Sequence, residues 1–490
     1  MLLSITDSDS FASYLVDASN SSGTASRVFL PQSIEHVQEA MRLCYQEKCP
    51  VHVSGNGTGL VGGRVPNGGA VISLERLRSC AVNAASLQGT VQSGLSMREW
   101  QSEVSAHGVL YPPDPTEWSA AMGGTFATNA SGARTFGYGP TRRYIEGLRV
   151  VLADGELLDL KRGQCVARDG VLKLRSESGQ EYSVPVPRYT MPATRKHAAG
   201  YYSSPSLDAV DVFVGSEGTL GVIVEADVRL VPAPENVLGM IVFFTDSESL
   251  LTAVEQVRGY ASGGQTDAPS EHLRPRLVEY FDERALRMIQ PSYPQIPAQV
   301  TGALWMEVEF RSRDEDAVLE SWTNFLSASG ALHEETWFAL DDRRHAELRA
   351  FRHALPSAVY ERVSNSGTTK IGTDIAVPPS AFRSFYNFYV DKFREHNVEY
   401  VLFGHIGDCH LHANIFAHDT ASHERMLRIY DECIAEGLRL GGTVSAEHGI
   451  GKLKKRYLKA MVGPEGIEQM RAVKAALDPQ GILSPGNMFE

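Results

Sequence analysis

Residues 54–74 read SGNGTGLVGGRVPNGGAVISL, a glycine-rich loop that ends in a buried-looking strand. Glycine adopts positive φ and lets a backbone approach a ligand closely, so consecutive amide N–H groups in such a loop can converge on one anion, above all a pyrophosphate. The chain before it supplies the scaffold. From Ser33 to Cys49 apolar residues recur at helical spacing (Val37, Ala40, Met41, Cys44), and the short strand VHVSG follows at once, which opens an α/β unit. The loop is no Walker loop, because no Gly-Lys-Ser/Thr closes it, and it does not open a helix as a GxGxxG turn would.

Two further small-residue stretches share this chemistry. Residues 111–140 read YPPDPTEWSAAMGGTFATNASGARTFGYGP, and residues 211–231, DVFVGSEGTLGVIVEADVRLV, read as strand, glycine turn, strand. The punctuation VPAPEN at 231–236 marks a domain boundary, after which long strand and helix patterns replace the glycine clusters. VLGMIVFFT and GALWMEVEF are strand candidates, while Asp314–Ser327 and Asp341–Phe351 carry helical periodicity, an α+β pattern. A helix from Arg425 to Leu440 leads into GGTVSAEHGIG, and the chain closes with a helix around Met470 and the tail LDPQGILSPGNMFE.

Composition narrows the partners. The 490 residues are 43% hydrophobic and 21% charged, which suits a globular protein with two or three cores. A net charge of -13 argues against general affinity for nucleic acid or anionic membrane. The run Lys452, Lys454, Lys455, Arg456 reads as a solvated helix face. Six scattered cysteines show no CxxC spacing, so neither a disulfide scaffold nor an iron–sulfur cluster is expected, and any electron relay should lie on another protein. The N-terminus lacks a secretory pattern, and the longest apolar stretch, Val237–Phe244, falls far short of the ~20 residues of a membrane span. A cytoplasmic location is expected, peripheral to a membrane at most through an acceptor partner.

Taken in this order and at these separations, the three loops resemble the vanillyl-alcohol oxidase (PCMH-type) superfamily of FAD-binding proteins, and within it the D-lactate, glycolate and D-2-hydroxyglutarate dehydrogenases. The resemblance covers nearly the whole chain. It implies an α+β fold: a two-subdomain FAD-binding domain over 1–235, an α+β substrate cap with an antiparallel sheet over 236–440, and a C-terminal segment, 441–490, that returns to the FAD domain. It implies FAD contacts from Ser54, Gly55, Asn56, Gly57, Thr58 and Gly59 in the first loop. Pro113, Asp114, Thr116, Gly123, Gly124, Thr128, Asn129 and Gly132 follow in the second, then Glu217, Gly218, Gly221 and Ile223 in the third, with Asn487 from the tail. Some relatives tether FAD through a histidine in the first loop, where this chain has Thr58, so dissociable FAD is expected.

FGHIGDCHLHANI packs His405, His410 and His412 into eight residues, and Glu447 and His448 follow in SAEHGIG. Imidazole and carboxylate suit a borderline divalent cation such as Zn2+, whereas Mn2+ prefers a more oxygen-rich shell. Alternation along a strand puts His410, His412 and Asn414 on one face, and a turn at Gly407–Asp408 could fold His405 back toward them, so spacing does not choose between His405 and His410. The resemblance implies His405, His412 and Glu447 as metal ligands, Asn414 beside the substrate, and His448 as general base. Relatives often show GDGNLH where this chain has GDCHLH, so His410 and Cys409 are departures that leave the exact ligand set open.

Oxidation of a 2-hydroxy acid removes the hydroxyl proton and moves the Cα hydrogen, most simply as hydride, to the flavin N5. A divalent metal, zinc by expectation with manganese or another ion as alternatives, would acidify the hydroxyl and fix the substrate. Arg352 in AFRHALP resembles the arginine that grips the substrate carboxylate, with Lys370 a second candidate. The small D-2-hydroxy acid is one expected partner; the other is an electron acceptor, whether quinone, cytochrome, electron-transfer flavoprotein or a separate iron–sulfur subunit. A homodimer is also carried as an expectation. The competing readings are a metal-free sugar or alcohol oxidase of the same superfamily, the ether-lipid synthase that uses flavin without net oxidation, and a non-catalytic FAD subunit that carries electrons.

Overall fold

The computed structural model describes residues 2–261, 272–367 and 369–489. The first glycine loop springs from a small sheet in the order Leu3–Ile5, Arg27–Leu30, Ala70–Ser73, Val51–Ser54, whose last three strands are parallel. The expected helix runs from Ile34 to Glu47. Ser33 caps it by accepting from the His36 amide, Lys48 ends it in a left-handed turn, and Ile34, Val37, Ala40, Met41 and Cys44 form its buried stripe. The C-terminal tail extends this sheet: the Val51 N–H donates to the Ile482 carbonyl, and the Ser484 N–H donates to the Val51 carbonyl, each at 2.7 Å.

A second, antiparallel sheet carries the other two loops, in the order Cys80–Asn83, Gln88–Gln92, Val222–Arg229, Ile145–Val151, Leu157–Lys161. The segment DVFV was expected to be a strand but belongs to a short helix, Ala209–Phe213. All five of its residues are buried, so no alternation distinguishes helix from strand there, and the Asp208 side chain caps it through the Val210 amide.

From Asn236 to Ala417 the strands form one antiparallel sheet, ordered Trp337–Ala339, Asn236–Phe244, Gly302–Phe310, Pro275–Asp282, Tyr400–Gly404, His410–Ala417, Thr369–Gly372. The helix expected over Asp341–Phe351 continues to Ser366, through Pro356, because Leu355 and Val359 extend the buried stripe of Phe351. The strands Tyr400–Gly404 and His410–Ala417 are joined by a single 3-10 turn, Ile406–Asp408. Gly407 in that turn lies so close to the helix Thr135–Tyr138 of the N-terminal half that a Cβ would meet the Phe136 ring at 2.7 Å. One continuous core joins the antiparallel sheets on both sides of this contact, from Val91 to Phe416's neighbours Ile415 and Ala417 and on to Phe489.

The basic run is not the solvated face expected of it. Lys454 is buried with Nζ 2.7 Å from Asp374, and Lys452 reaches inward to Asn487 Oδ1 at 2.7 Å, while Arg456 pairs with Asp431 at the surface.

Candidate active site

The three glycine loops converge on one cavity of about 330 Å3, within the roughly 300–1000 Å3 usual for cofactor sites. Gly55, Asn56, Gly57, Thr58, Gly59, Thr116, Gly123, Gly124, Thr128, Glu217, Gly218, Gly221 and Ile223 line it. A Cβ on Gly124 would project into open space. The backbone is therefore bared toward the cavity, as a pyrophosphate and a flat ring require, and the residues fit FAD. Six expected contacts do not line the wall. The Ser54 hydroxyl accepts from Arg64, Pro113 offers its carbonyl to Gln101, and Asp114 accepts from the Trp118 indole. The Asn129 amide spans His197 and Arg142, Gly132 packs on the Asp114 carbonyl, and Asn487 ties Gly63 to the Glu217 carbonyl. Each of the six thus packs or bonds within its own loop or to a neighbouring segment.

The same cavity is also lined by His412, Glu447 and His448. Two of these residues, His412 and Glu447, form a cluster with His405 and His410 in which each offers a ligand atom, all within 4.8 Å of one another. His405 Nε2 lies 3.2 Å from Glu447 Oε1, and His412 Nε2 lies 3.4 Å from Oε2. Three imidazoles around one carboxylate, two of them fully buried, are the donor set of a divalent cation, and the residues fit one.

Three more charged groups hold the cluster and a fourth, Arg64, braces the first glycine loop; sequence reasoning singled out none of them. Glu279, on the strand Pro275–Asp282, accepts from Arg352 Nε at 2.7 Å and pairs with His405 Nδ1. Lys196 Nζ donates to Glu447 Oε1 at 2.7 Å and lies 3.6 Å from Asp408. Asp374 accepts from the backbone amides of Ala446, Glu447 and His448 at 3.1–3.2 Å, from Ser445 Oγ at 2.6 Å and from Lys454. It thereby fixes the loop that carries Glu447 and His448. Arg64 lines the cavity beneath the first loop, where its Nη1 donates to the Gly55 carbonyl at 2.8 Å.

Burial would raise these carboxylates, yet each is held well below the usual range: Glu447 by His405 and Lys196, Asp374 by His448 and Lys454. Burial likewise works to lower His405, but the carboxylates of Glu279 and Glu447 outweigh it and drive that imidazole up. His448 is different. Burial depresses it to about 4 despite Asp374, whose Oδ2 lies 3.3 Å from its Nδ1, so the imidazole is neutral at physiological pH.

Arg352, expected to grip the substrate carboxylate, is bonded to Glu279. Its Nε is committed to Glu279, so half the planar fork serves the His405 side of the cluster, while its buried Nη1 has no hydrogen-bond partner among the described residues. Lys370 Nζ donates to Asn414 Oδ1 at 2.9 Å, and neither side chain lines the cavity. Lys370 is exposed at the surface, and the protein packed around its stem desolvates the ammonium and lowers its pKa.

Two family descriptions match this chain: an FAD binding domain over residues 25–161, and the C-terminal domain of FAD linked oxidases over residues 234–488. The chain belongs to the FAD-linked oxidases. It is 31% identical to a D-2-hydroxyglutarate dehydrogenase of Xanthomonas citri pv. viticola, over 94% of this chain and 89% of that one. It is 29% identical to the glycolate oxidase subunit GlcD of Bacillus subtilis, over 94% and 88% of the two chains. A D-lactate dehydrogenase of Anaerostipes hadrus is 28% identical over 93% and 88%. Among solved structures, an alkyldihydroxyacetonephosphate synthase superposes with a TM-score of 0.64 at 16% identity, covering 94% of this chain and 77% of that one, a likeness of fold. Among the described residues no helix is long and apolar enough to cross a membrane.

Proposed function

We propose that this FAD-linked oxidase converts a small D-2-hydroxy acid to the 2-oxo acid, with a divalent cation at the histidine cluster. One observation carries the reading: the cavity walled by the glycine loops is also lined by His412, Glu447 and His448, so one small molecule in it could face both sites. FAD, held non-covalently, supplies the acceptor for the Cα hydrogen and its electron pair, and the cation, zinc by preference, supplies Lewis acidity at the substrate oxygens.

His448 takes the hydroxyl proton. With Nδ1 turned to Asp374, the ring is held so that Nε2 is left to accept, and its depressed basicity keeps it unprotonated at neutral pH. The acid's carboxylate needs a cationic partner, for which Arg352 Nη1 and Lys370 are the candidates, with Asn414 positioning Lys370. Relatives named for D-2-hydroxyglutarate, glycolate and D-lactate support the substrate class. A metal-free oxidase or a pure electron carrier would leave the buried imidazoles and their supporting carboxylates without a task. Loss of the hydroxyl proton to His448 and of the Cα hydrogen with its electron pair leaves the 2-oxo acid; bound FAD would receive that pair, and an external acceptor would reoxidise it.

The test is an anaerobic screen of D- and L-2-hydroxy acids against flavin absorbance, with and without added metal. Bleaching by a D-2-hydroxy acid that chelation abolishes and metal restores is expected. Full bleaching by a demonstrably metal-free enzyme would remove the cation from the reaction, and no bleaching by any acid would remove the substrate class.

A further inference from the structure

We propose that His410 is a fourth protein ligand of the cation, so that the site is built from three imidazoles and one carboxylate rather than two and one. This inference rests on the metal reading above and deepens it.

The three imidazoles are mounted alike. His405 directs Nε2 at Glu447 and its other nitrogen at Glu279. His412 directs Nε2 at Glu447, while its Nδ1 lies 3.2 Å from the Thr373 carbonyl. His410 repeats the plan with its nitrogens exchanged: Nδ1 lies 4.0 Å from Glu447 Oε2, and Nε2 lies 3.2 Å from Asp374 Oδ1. A ligating histidine characteristically turns its second nitrogen to a carboxylate or carbonyl; His405 and His412 bond to theirs, and His410 has the Asp374 carboxylate beside it at 3.2 Å without a hydrogen bond of good geometry.

His410 is fully buried, and neither ring nitrogen makes a hydrogen bond of good geometry to any described residue. A buried polar atom left without a partner is costly, and an ion at Nδ1 would satisfy one nitrogen while leaving the other beside Asp374. Position also favours ligation. Cys409 turns the chain through a left-handed φ of 59°, which starts the strand at His410 and puts it two residues before His412 on the same face. The two rings stand 4.5 Å apart, centroid to centroid, closer than either stands to His405. Donor atoms about 2.1 Å from one ion stand about 3.4 Å apart in a tetrahedral site and at most about 4.2 Å apart in any site, so a cluster whose donor atoms lie within 4.8 Å of one another closes on an ion by contracting its widest pair by about 0.6–1.4 Å. With four protein ligands, the cation must expand its coordination to accept a chelating substrate.

The flavin-loaded full-length protein, stripped by chelator and reloaded with one equivalent of ZnCl2, would be examined by zinc K-edge X-ray absorption. Three imidazoles are expected in the wild type and two in His410→Asn and His410→Gln, with zinc affinity weakened about 10–100-fold or more. Circular dichroism and flavin content identify which of the two variants is folded, and the wild-type count needs neither. Two imidazoles in the wild type would overturn the fourth ligand while leaving the metal reading intact. Failure of the wild type to bind zinc, cobalt or manganese would overturn both.

Discussion

Replacing Asp374 with asparagine changes one oxygen for an amino group and tests how the catalytic loop is held. In the native site Oδ1 accepts two amides, from Ala446 and Glu447, while Oδ2 accepts the His448 amide, the Ser445 hydroxyl and the Lys454 ammonium. An asparagine can accept on one side only; its amino group must face donors on the other. If it replaces Oδ2, the buried Lys454 ammonium loses its carboxylate, which costs about 3–5 kcal/mol, and a stranded amide adds about 1–3 kcal/mol. For a chain of 490 residues each kcal/mol shifts the melting temperature by about 1 °C, so it should fall by about 4–8 °C. His448 also loses the carboxylate beside Nδ1, so single-turnover flavin reduction should slow by about 100-fold or more. Differential scanning calorimetry and anaerobic stopped-flow absorbance read the two effects. A variant that melts within about 2 °C of the wild type and reduces its flavin within about threefold of the wild-type rate would refute the anchoring role.

Because burial holds His448 at about 4, below the ordinary imidazole value, the accepting form persists well into acid; stopped-flow flavin reduction should show no acid limb near pH 6.5, and one centred there would assign the proton to another group. Gly124→Ala sits in the helix Met122–Ala127 with nothing near its new methyl group, so apoprotein melting should hold or rise slightly while FAD affinity falls about tenfold or more; unchanged FAD binding by fluorescence titration would place the cofactor elsewhere. Gly407→Ala should destabilise the protein by about 1–3 kcal/mol, since the added carbon meets Phe136 and Val278 at 2.7 and 3.0 Å, and metal content by mass spectrometry should fall with it; normal melting would show that the two halves do not pack there as described.

The parts legible in the sequence are those whose chemistry is local. Glycine loops announce themselves because bare backbone is their function, and His405, His410 and His412 lie within one hairpin. The antiparallel cap sheet follows from long apolar strands such as Gly302–Phe310. What escaped is held together only by tertiary contact. Glu279 stands 126 residues from His405, and Lys196 stands 251 from Glu447, separations at which no spacing rule operates. A weak signal did exist: Glu279 interrupts the apolar strand Pro275–Asp282, and a carboxylate in a buried strand position demands a partner. Arg352 was recognised as a cation that matters, but its residue type does not reveal that one side of its fork is already occupied by Glu279. The helix Ala209–Phe213 was mistaken for a strand because full burial erases periodicity.

The account turns on one chamber serving both the flavin and the ion. A crystal structure of the FAD-loaded protein soaked with zinc, with anomalous data at the zinc edge, measures this directly. The expected anomalous peak lies among His405, His410, His412 and Glu447, separated from the isoalloxazine ring by the width of one small acid. A peak outside that cluster, or a ring bound where protein stands between it and His448, would contradict the account.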